Sequence, residues 1–94
     1  QTVLDYLRPR LFAPLGIGYY QRGEIAKADE LLSKAVAVRK DNYQTQYLLG
    51  LTKYKLNRDA EAENALKEAV KLNANLSEAY YFLGEIYDRN NRSN

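Results

Sequence analysis

The chain has 94 residues, with 46% hydrophobic and 28% charged residues, which favours one globular domain. Fourteen Lys and Arg against twelve Asp and Glu leave a net charge of +2, too balanced for the basic surface of a nucleic-acid-binding protein. The chain contains neither Cys nor His, so thiol nucleophiles, disulfides, imidazole bases and Cys/His zinc sites are excluded.

The sequence does not assign the protein to a cellular compartment. The apolar runs are only a few residues long, so we expect no membrane insertion by this segment. No secretory signal is visible, but Gln1 stands where an initiator Met is expected. We therefore expect a soluble domain that is a fragment of a longer protein.

Five helices are predicted in chain order. Ala, Leu, Lys and Glu dominate the periodic segments, and Glu63 and Lys67 form a favourable i,i+4 pair. Gly23 and Asn57 interrupt the pattern where helices should end, and Asn75 is the expected N-cap of the last helix. The predicted helices cover residues 11–22, 25–39, 43–56, 59–72 and 77–90, with a short extra turn at 2–7.

A Leu-Gly pair recurs every 34 residues, as Leu15-Gly16, Leu49-Gly50 and Leu83-Gly84. The same shift places Tyr20 on Tyr54, Ala28 on Ala62 and Leu32 on Leu66. Such a period is typical of helical repeats. The glycines of the first repeat therefore do not form a phosphate-binding loop, and Gln21 stands where a dinucleotide-binding pattern needs glycine.

These repeated residues resemble the tetratricopeptide repeat, over roughly residues 9–94. The matching positions are Phe12, Leu15, Gly16, Tyr19, Gly23, Ala28, Leu32 and Ala35, then Leu49, Gly50, Ala62, Leu66 and Ala69, then Tyr80, Leu83, Gly84 and Tyr87. The resemblance implies an all-α, right-handed superhelix of antiparallel helix pairs, an α-α solenoid of about two and a half repeats. We expect a single domain over 1–94, with an N-terminal extension at 1–8, repeats at 9–42 and 43–76, and the first helix of a truncated third repeat at 77–94.

The chain departs from the family pattern at several positions. Gln46 takes the aromatic slot of the second repeat and Lys53 takes its Tyr slot. Lys40 and Ala74 stand where a closing proline is usual. Pro14 is compatible with a helix only near its start, where the backbone N–H has no intrahelical partner.

The repeated glycines are expected to allow a close helix approach. Glycine inside a helix costs about 1 kcal/mol relative to Ala, so its repetition needs a compensation. We expect Gly16 and Gly50 to leave room for the second helix of each pair at Ala28 and Ala62. Gly50→Leu should then unfold the domain, whereas Gly18→Ala should not.

The third helix carries a second apolar stripe, at Tyr43, Tyr47, Leu51 and Tyr54. The resemblance implies that the first helix of each pair lines a concave groove, where tyrosine suits a half-exposed surface. The predicted groove residues are Ile17, Tyr20, Tyr47, Leu48, Leu51, Tyr54, Tyr81 and Phe82. Core burial is an equally open reading for Leu51 and Ile17. The groove is expected to take a peptide or helix of a partner protein.

Charges on the last helix favour a basic or neutral apolar ligand at that end of the groove. Glu78, Glu85 and Asp88 are predicted to lie near it, with Arg89 alongside; a solvated terminal face is the alternative. A subgroup of the family holds acidic chaperone tails with a clamp of Lys, Arg and Asn. The matching positions here hold no clamp residue, which argues against such a tail; they are Ala13, Ile17, Leu48, Glu78 and Phe82.

Two rival functions follow from the same residues. Catalysis is disfavoured, because the carboxylates are dispersed and no serine has a His partner; no cofactor, metal or nucleic acid is expected. Self-assembly is the stronger rival. The helix predicted at 77–90 lacks its paired second helix, so we expect either a parent protein that continues past Asn94 or a second copy of the chain that packs on this helix. Self-assembly through the groove is the other route.

Overall fold

The computed structural model describes residues 8–92, which form five α-helices and no strand. The helices are α1 (Phe12–Gln21), α2 (Ile25–Val38), α3 (Tyr43–Lys55), α4 (Asp59–Leu72) and α5 (Ser77–Arg92), and a 3-10 turn at Pro9–Leu11 precedes α1. Each helix begins and ends within two residues of its predicted bounds. The turn expected at 2–7 lies outside the described residues. None of the described helices is long and apolar enough to cross a membrane.

Equivalent turns end the first helix of both complete pairs. Gly23 has φ 81° and Asn57 has φ 61°, the left-handed conformation that Gly and Asn tolerate best. The N–H of Glu24 donates to Tyr19 O, and the N–H of Arg58 donates to Lys53 O, both at 2.9 Å. These hydrogen bonds define a Schellman turn, so both predicted helix ends are confirmed.

The starts of α3 and α5 differ in their capping. The Asn42 side chain accepts from the N–H of Gln44 at 3.0 Å and of Thr45 at 3.2 Å, which satisfies two free donors of α3. The prediction of Asn75 as the N-cap of α5 is wrong, because that helix begins at Ser77. Asn75 instead donates its N–H to the Asn73 side chain at 3.1 Å, so the polar side chain that shapes this turn lies two residues earlier.

The helices pack in two layers. Three-residue turns join α1 to α2 and α3 to α4, which makes each pair antiparallel. Neighbouring first helices contact each other, α1 with α3 and α3 with α5, whereas α2 and α4 make no mutual contact in the described part of the chain. The layer of α1, α3 and α5 is thus the tighter, inner side of an all-α solenoid. The buried core between the layers includes Leu31, Leu32, Leu66 and Ile86.

Two glycines mark the closest approach within the helix pairs. A Cβ atom built on Gly16 would lie 2.8 Å from Leu32 Cγ, and one built on Gly50 would lie 2.7 Å from Leu66 Cγ. The predicted close approach is confirmed, but the facing residues are Leu32 and Leu66, one turn beyond the expected Ala28 and Ala62. Gly84 has nothing within 4 Å of its virtual Cβ, because no second helix of the described residues 8–92 covers this side of α5.

Polar residues fill the two slots where α3 departs from the family pattern. Gln46 is buried and donates from Nε2 to Lys40 O at 3.1 Å. Lys53 is also buried and forms an ion pair with Asp29 of α2 at 2.8 Å. Its second carboxylate, Glu61 of α4, lies 3.5 Å away. Lys53 therefore joins the two helix pairs by charge where the family uses a tyrosine.

Candidate peptide-binding groove

The inner faces of α1, α3 and α5 present the predicted aromatic surface, which we call the tyrosine groove. It is defined by the predicted residues Ile17, Tyr20, Tyr47, Leu48, Leu51, Tyr54, Tyr81 and Phe82. Most of these side chains are partly buried, since they pack against the core on one side and are accessible on the other. Tyr81 is 62% exposed, whereas Leu51 is only 8% exposed and lies at the floor. Leu51 is therefore better described as a core residue than as a groove-lining residue.

One half of the groove lies between α1 and α3. Ile17, Tyr47 and Leu48 line a depression of about 410 Å³. Three further lining residues were not among the predicted groove residues, and they are Tyr43, Gln44 and Leu76. Tyr43 belongs to the apolar stripe seen in the sequence. Gln44 lies one turn before Leu48, but Leu76 precedes α5 in a turn and has no comparable signal.

The other half lies between α3 and α5. The rings of Tyr54 and Phe82 meet edge to face with centroids 5.6 Å apart, and those of Tyr81 and Phe82 do so at 5.1 Å. This arrangement is the favourable one for aromatic rings. The three rings form a continuous aromatic wall that runs from half-buried Tyr54 to exposed Tyr81.

Two cations of the chain cover groove tyrosines. Arg89 Cζ lies 4.3 Å from the centroid of the Tyr54 ring, and Lys55 Nζ lies 5.7 Å from that of Tyr20. Arg89 also donates from Nε to Asp59 Oδ2 at 3.0 Å and forms an ion pair with that carboxylate, which raises the pKa of the guanidinium. Arg89 thus links α5 to the first residue of α4. Its predicted role at the groove end stays a prediction.

The predicted acidic residues of α5 differ in their surroundings. Glu78 lies close to Tyr47 and is exposed. Glu85 is half-buried beside Arg89, and Asp88 is exposed. The structure therefore places Glu78 beside the middle of the groove, next to the depression, while Glu85 is associated with the Arg89 end.

The hydroxyl groups of two groove tyrosines stay protonated at neutral pH. Burial raises the pKa of Tyr20. Burial also raises the pKa of Tyr47, with smaller contributions from the negative charge of Glu78 and from Tyr20. Because both phenols keep their protons, each can donate a hydrogen bond to a carbonyl of a bound chain.

Comparison with known proteins agrees with this architecture. The family model described as tetratricopeptide repeat matches residues 43–76. Residues 43–76 are thus a tetratricopeptide repeat. Among curated proteins, no sequence matches the chain significantly.

Solved structures of similar fold include two forms of MamA. A crystal structure of MamA is 30% identical to the chain over 87% of its length, with a TM-score of 0.83. A mutant form of MamA is 25% identical over 94% of the chain, with a TM-score of 0.85. The first tetratricopeptide repeat domain of Spaghetti (RPAP3), bound to an HSP90 peptide, is 22% identical over 87% of the chain, with a TM-score of 0.80. The chain spans 48% of the first MamA structure, 65% of the MamA mutant and 65% of the RPAP3 structure.

Proposed function

We propose that the chain is a non-catalytic protein–protein interaction scaffold that binds a peptide or helix of a partner protein in the tyrosine groove. The proposal rests on the accessible aromatic wall between α3 and α5, where Tyr81 is 62% exposed. Tyrosine and phenylalanine are enriched at binding surfaces, because they bury a large area at a low entropic cost. A partner segment with apolar anchors at helical or extended spacing fits such a groove.

The fold supports a peptide ligand, while the groove residues disfavour an acidic one. The RPAP3 domain of similar fold holds a peptide, of sequence SRMEEVD. In the present chain, the positions of a carboxylate clamp carry Ile17, Leu48 and Phe82 with no cation, and Glu78 would repel a carboxylate. We therefore do not propose an acidic chaperone tail as the ligand. The division into repeats at 9–42 and 43–76, with a third helix pair begun at residue 77, forms part of the proposal.

The test compares two adjacent tyrosines of α5. Peptides are selected from a phage-displayed random library on the immobilised chain, and the affinity of an enriched peptide is measured by calorimetry. Tyr81→Ala is expected to weaken binding by about tenfold or more, as for an aromatic anchor. Tyr80→Ala is the matched control, because Tyr80 is 50% exposed but lies outside the groove. Its affinity should stay within about twofold of the parent, less than an anchor would cost.

The proposal fails if no peptide is enriched above a helical control protein. It also fails if Tyr80→Ala and Tyr81→Ala weaken binding equally, since the contact would then not be the groove. Both variants change exposed side chains, so circular dichroism should show unchanged melting temperatures for each.

Self-association through the outer face of α5 is a second candidate function. Gly84 is open on this face, and Tyr80 and Tyr87 are 50% and 45% exposed beside it. The equivalent glycines of the two complete pairs each face a leucine of a second helix. A helix of a second copy that presents an aliphatic side chain to Gly84 would complete the same packing.

Sedimentation equilibrium over a hundredfold range of concentration tests this candidate. A dimer at high concentration that is lost in Gly84→Arg would support it, because the arginine side chain would occupy the open face. The control is Gly18→Arg, whose site is equally open but lies on α1. A monomer over the whole range, or a dimer that survives Gly84→Arg, would rule the outer face out.

A further inference from the structure

The depression between α1 and α3 differs chemically from the rest of the tyrosine groove. Its walls are the apolar side chains of Ile17, Leu48 and Leu76, with two tyrosines and one amide, from Tyr43, Tyr47 and Gln44. Its volume of about 410 Å³ lies within the usual range of small-ligand pockets, roughly 300–1,000 Å³. No charged residue of the described chain lines it.

The depression lacks the cation that covers other groove tyrosines. Lys55 lies over Tyr20 and Arg89 lies over Tyr54, each within cation–π distance. In the described part of the chain, no such cation is found over Tyr43 or Tyr47. Among the described residues, the chain therefore supplies a cation to the rings of Tyr20 and Tyr54 but none to the rings that line the depression.

A negative charge stands beside these uncovered rings. Glu78 is exposed, and its carboxylate is close enough to Tyr47 to contribute to the raised pKa of that phenol, although burial is the larger cause. Glu78 has no ion-pair partner among the side chains that the structure describes. The exposed carboxylate gives the edge of the depression a negative potential, which favours a cationic group.

We propose that the depression is a pocket for a lysine or arginine side chain of the partner peptide. Ile17, Leu48 and Leu76 would contact the methylene stem, which long basic side chains bury readily. The rings of Tyr43 and Tyr47, the amide oxygen of Gln44 and the carboxylate of Glu78 would receive the charged head. The inference rests on the proposed function and adds a positive charge to its ligand. The ligand is then an apolar peptide segment whose one basic residue binds at the α1–α3 half of the groove.

The test uses the peptides selected from the random library and compares two glutamates of the chain. The selected peptides should be enriched in Lys or Arg at one position relative to the unselected library. Glu78→Gln should weaken an enriched peptide by about threefold to fivefold, the size expected of an exposed ion pair. Glu68→Gln is the matched control, because Glu68 is an exposed carboxylate of α4 in the other layer, and its affinity should be unchanged.

A peptide variant separates the pocket from a general charge effect. Replacement of the basic residue by norleucine, which keeps the stem, should weaken binding to the parent chain. The same replacement should have a smaller effect in Glu78→Gln, since the contact with the carboxylate is already lost and only the rings and the amide remain. Equal losses in both chains, or selected peptides without a basic residue, would overturn the pocket and leave the groove standing. Failure to select any peptide would refute the groove and the pocket together.

Discussion

Gly50→Leu is expected to lower the free energy of unfolding by about 3 kcal/mol or more, because the added side chain has no space. A Cβ atom at this position would already lie 2.7 Å from Leu66 Cγ and 3.3 Å from the backbone nitrogen of Leu66. The side chain of Leu66 is fully buried and cannot move into solvent. For a domain of this size, the loss corresponds to a fall in Tm of roughly 12–24 °C.

Gly84→Leu is the matched control for this effect. Gly84 occupies the same position of the repeat, but nothing lies within 4 Å of its virtual Cβ. Leucine is the better helix former by close to 1 kcal/mol, so stability should be equal to or above that of the parent. Thermal unfolding of both variants, followed by circular dichroism at low protein concentration, checks the prediction. Equal melting temperatures would show that the repeated glycine is not a packing requirement.

Lys53→Met is expected to destabilise the fold by about 2 kcal/mol, between the values for exposed and fully buried ion pairs. The side chains of Lys53 and Asp29 are only 11% and 16% exposed, and their charged groups lie 2.8 Å apart. Methionine keeps the unbranched stem but leaves Asp29 with two weaker partners, Arg58 at 3.5 Å and the Ser33 hydroxyl at 3.3 Å. The cost therefore comes from the carboxylate that remains buried without its close cation.

A second substitution distinguishes this electrostatic cause from lost packing. The double variant Asp29→Leu with Lys53→Met should be more stable than Lys53→Met alone, because no buried charge remains unpaired. Lys71→Met changes an exposed lysine of α4 and should stay within about 0.5 kcal/mol of the parent. Urea unfolding gives the four free energies. A double variant less stable than Lys53→Met would contradict the ion-pair account.

The helices could be predicted well because their signals are local. Gly23 and Asn57 take the same left-handed turn, and the periodic Leu-Gly pairs place both helices of each pair. Tyr54 and Phe82 could be placed near each other because one repeat length relates α3 to α5. A repeat thus turns a local pattern into long-range contacts.

Contacts that depend on side-chain reach across helices could not be predicted. Lys53 and Asp29 lie on different helix pairs, and the sequence shows Lys53 only as a departure from the Tyr slot. Arg89 lies over Tyr54 of the groove, but its hydrogen bond to Asp59 of α4 could not be predicted. Neither pairing follows from periodicity, because each depends on the rotation of one helix against its neighbour. Leu76 escaped prediction because a turn residue has no helical face.

The central claim, that the inner face of α1, α3 and α5 is the binding surface, is tested most directly by mapping amide chemical shifts. The isotope-labelled chain is titrated with a library-selected peptide, and the shifts are assigned by residue. The account predicts that the largest shifts fall around Tyr47 and Tyr81 on the inner face. Largest shifts around Tyr80 and Gly84, on the outer face of α5, would contradict it.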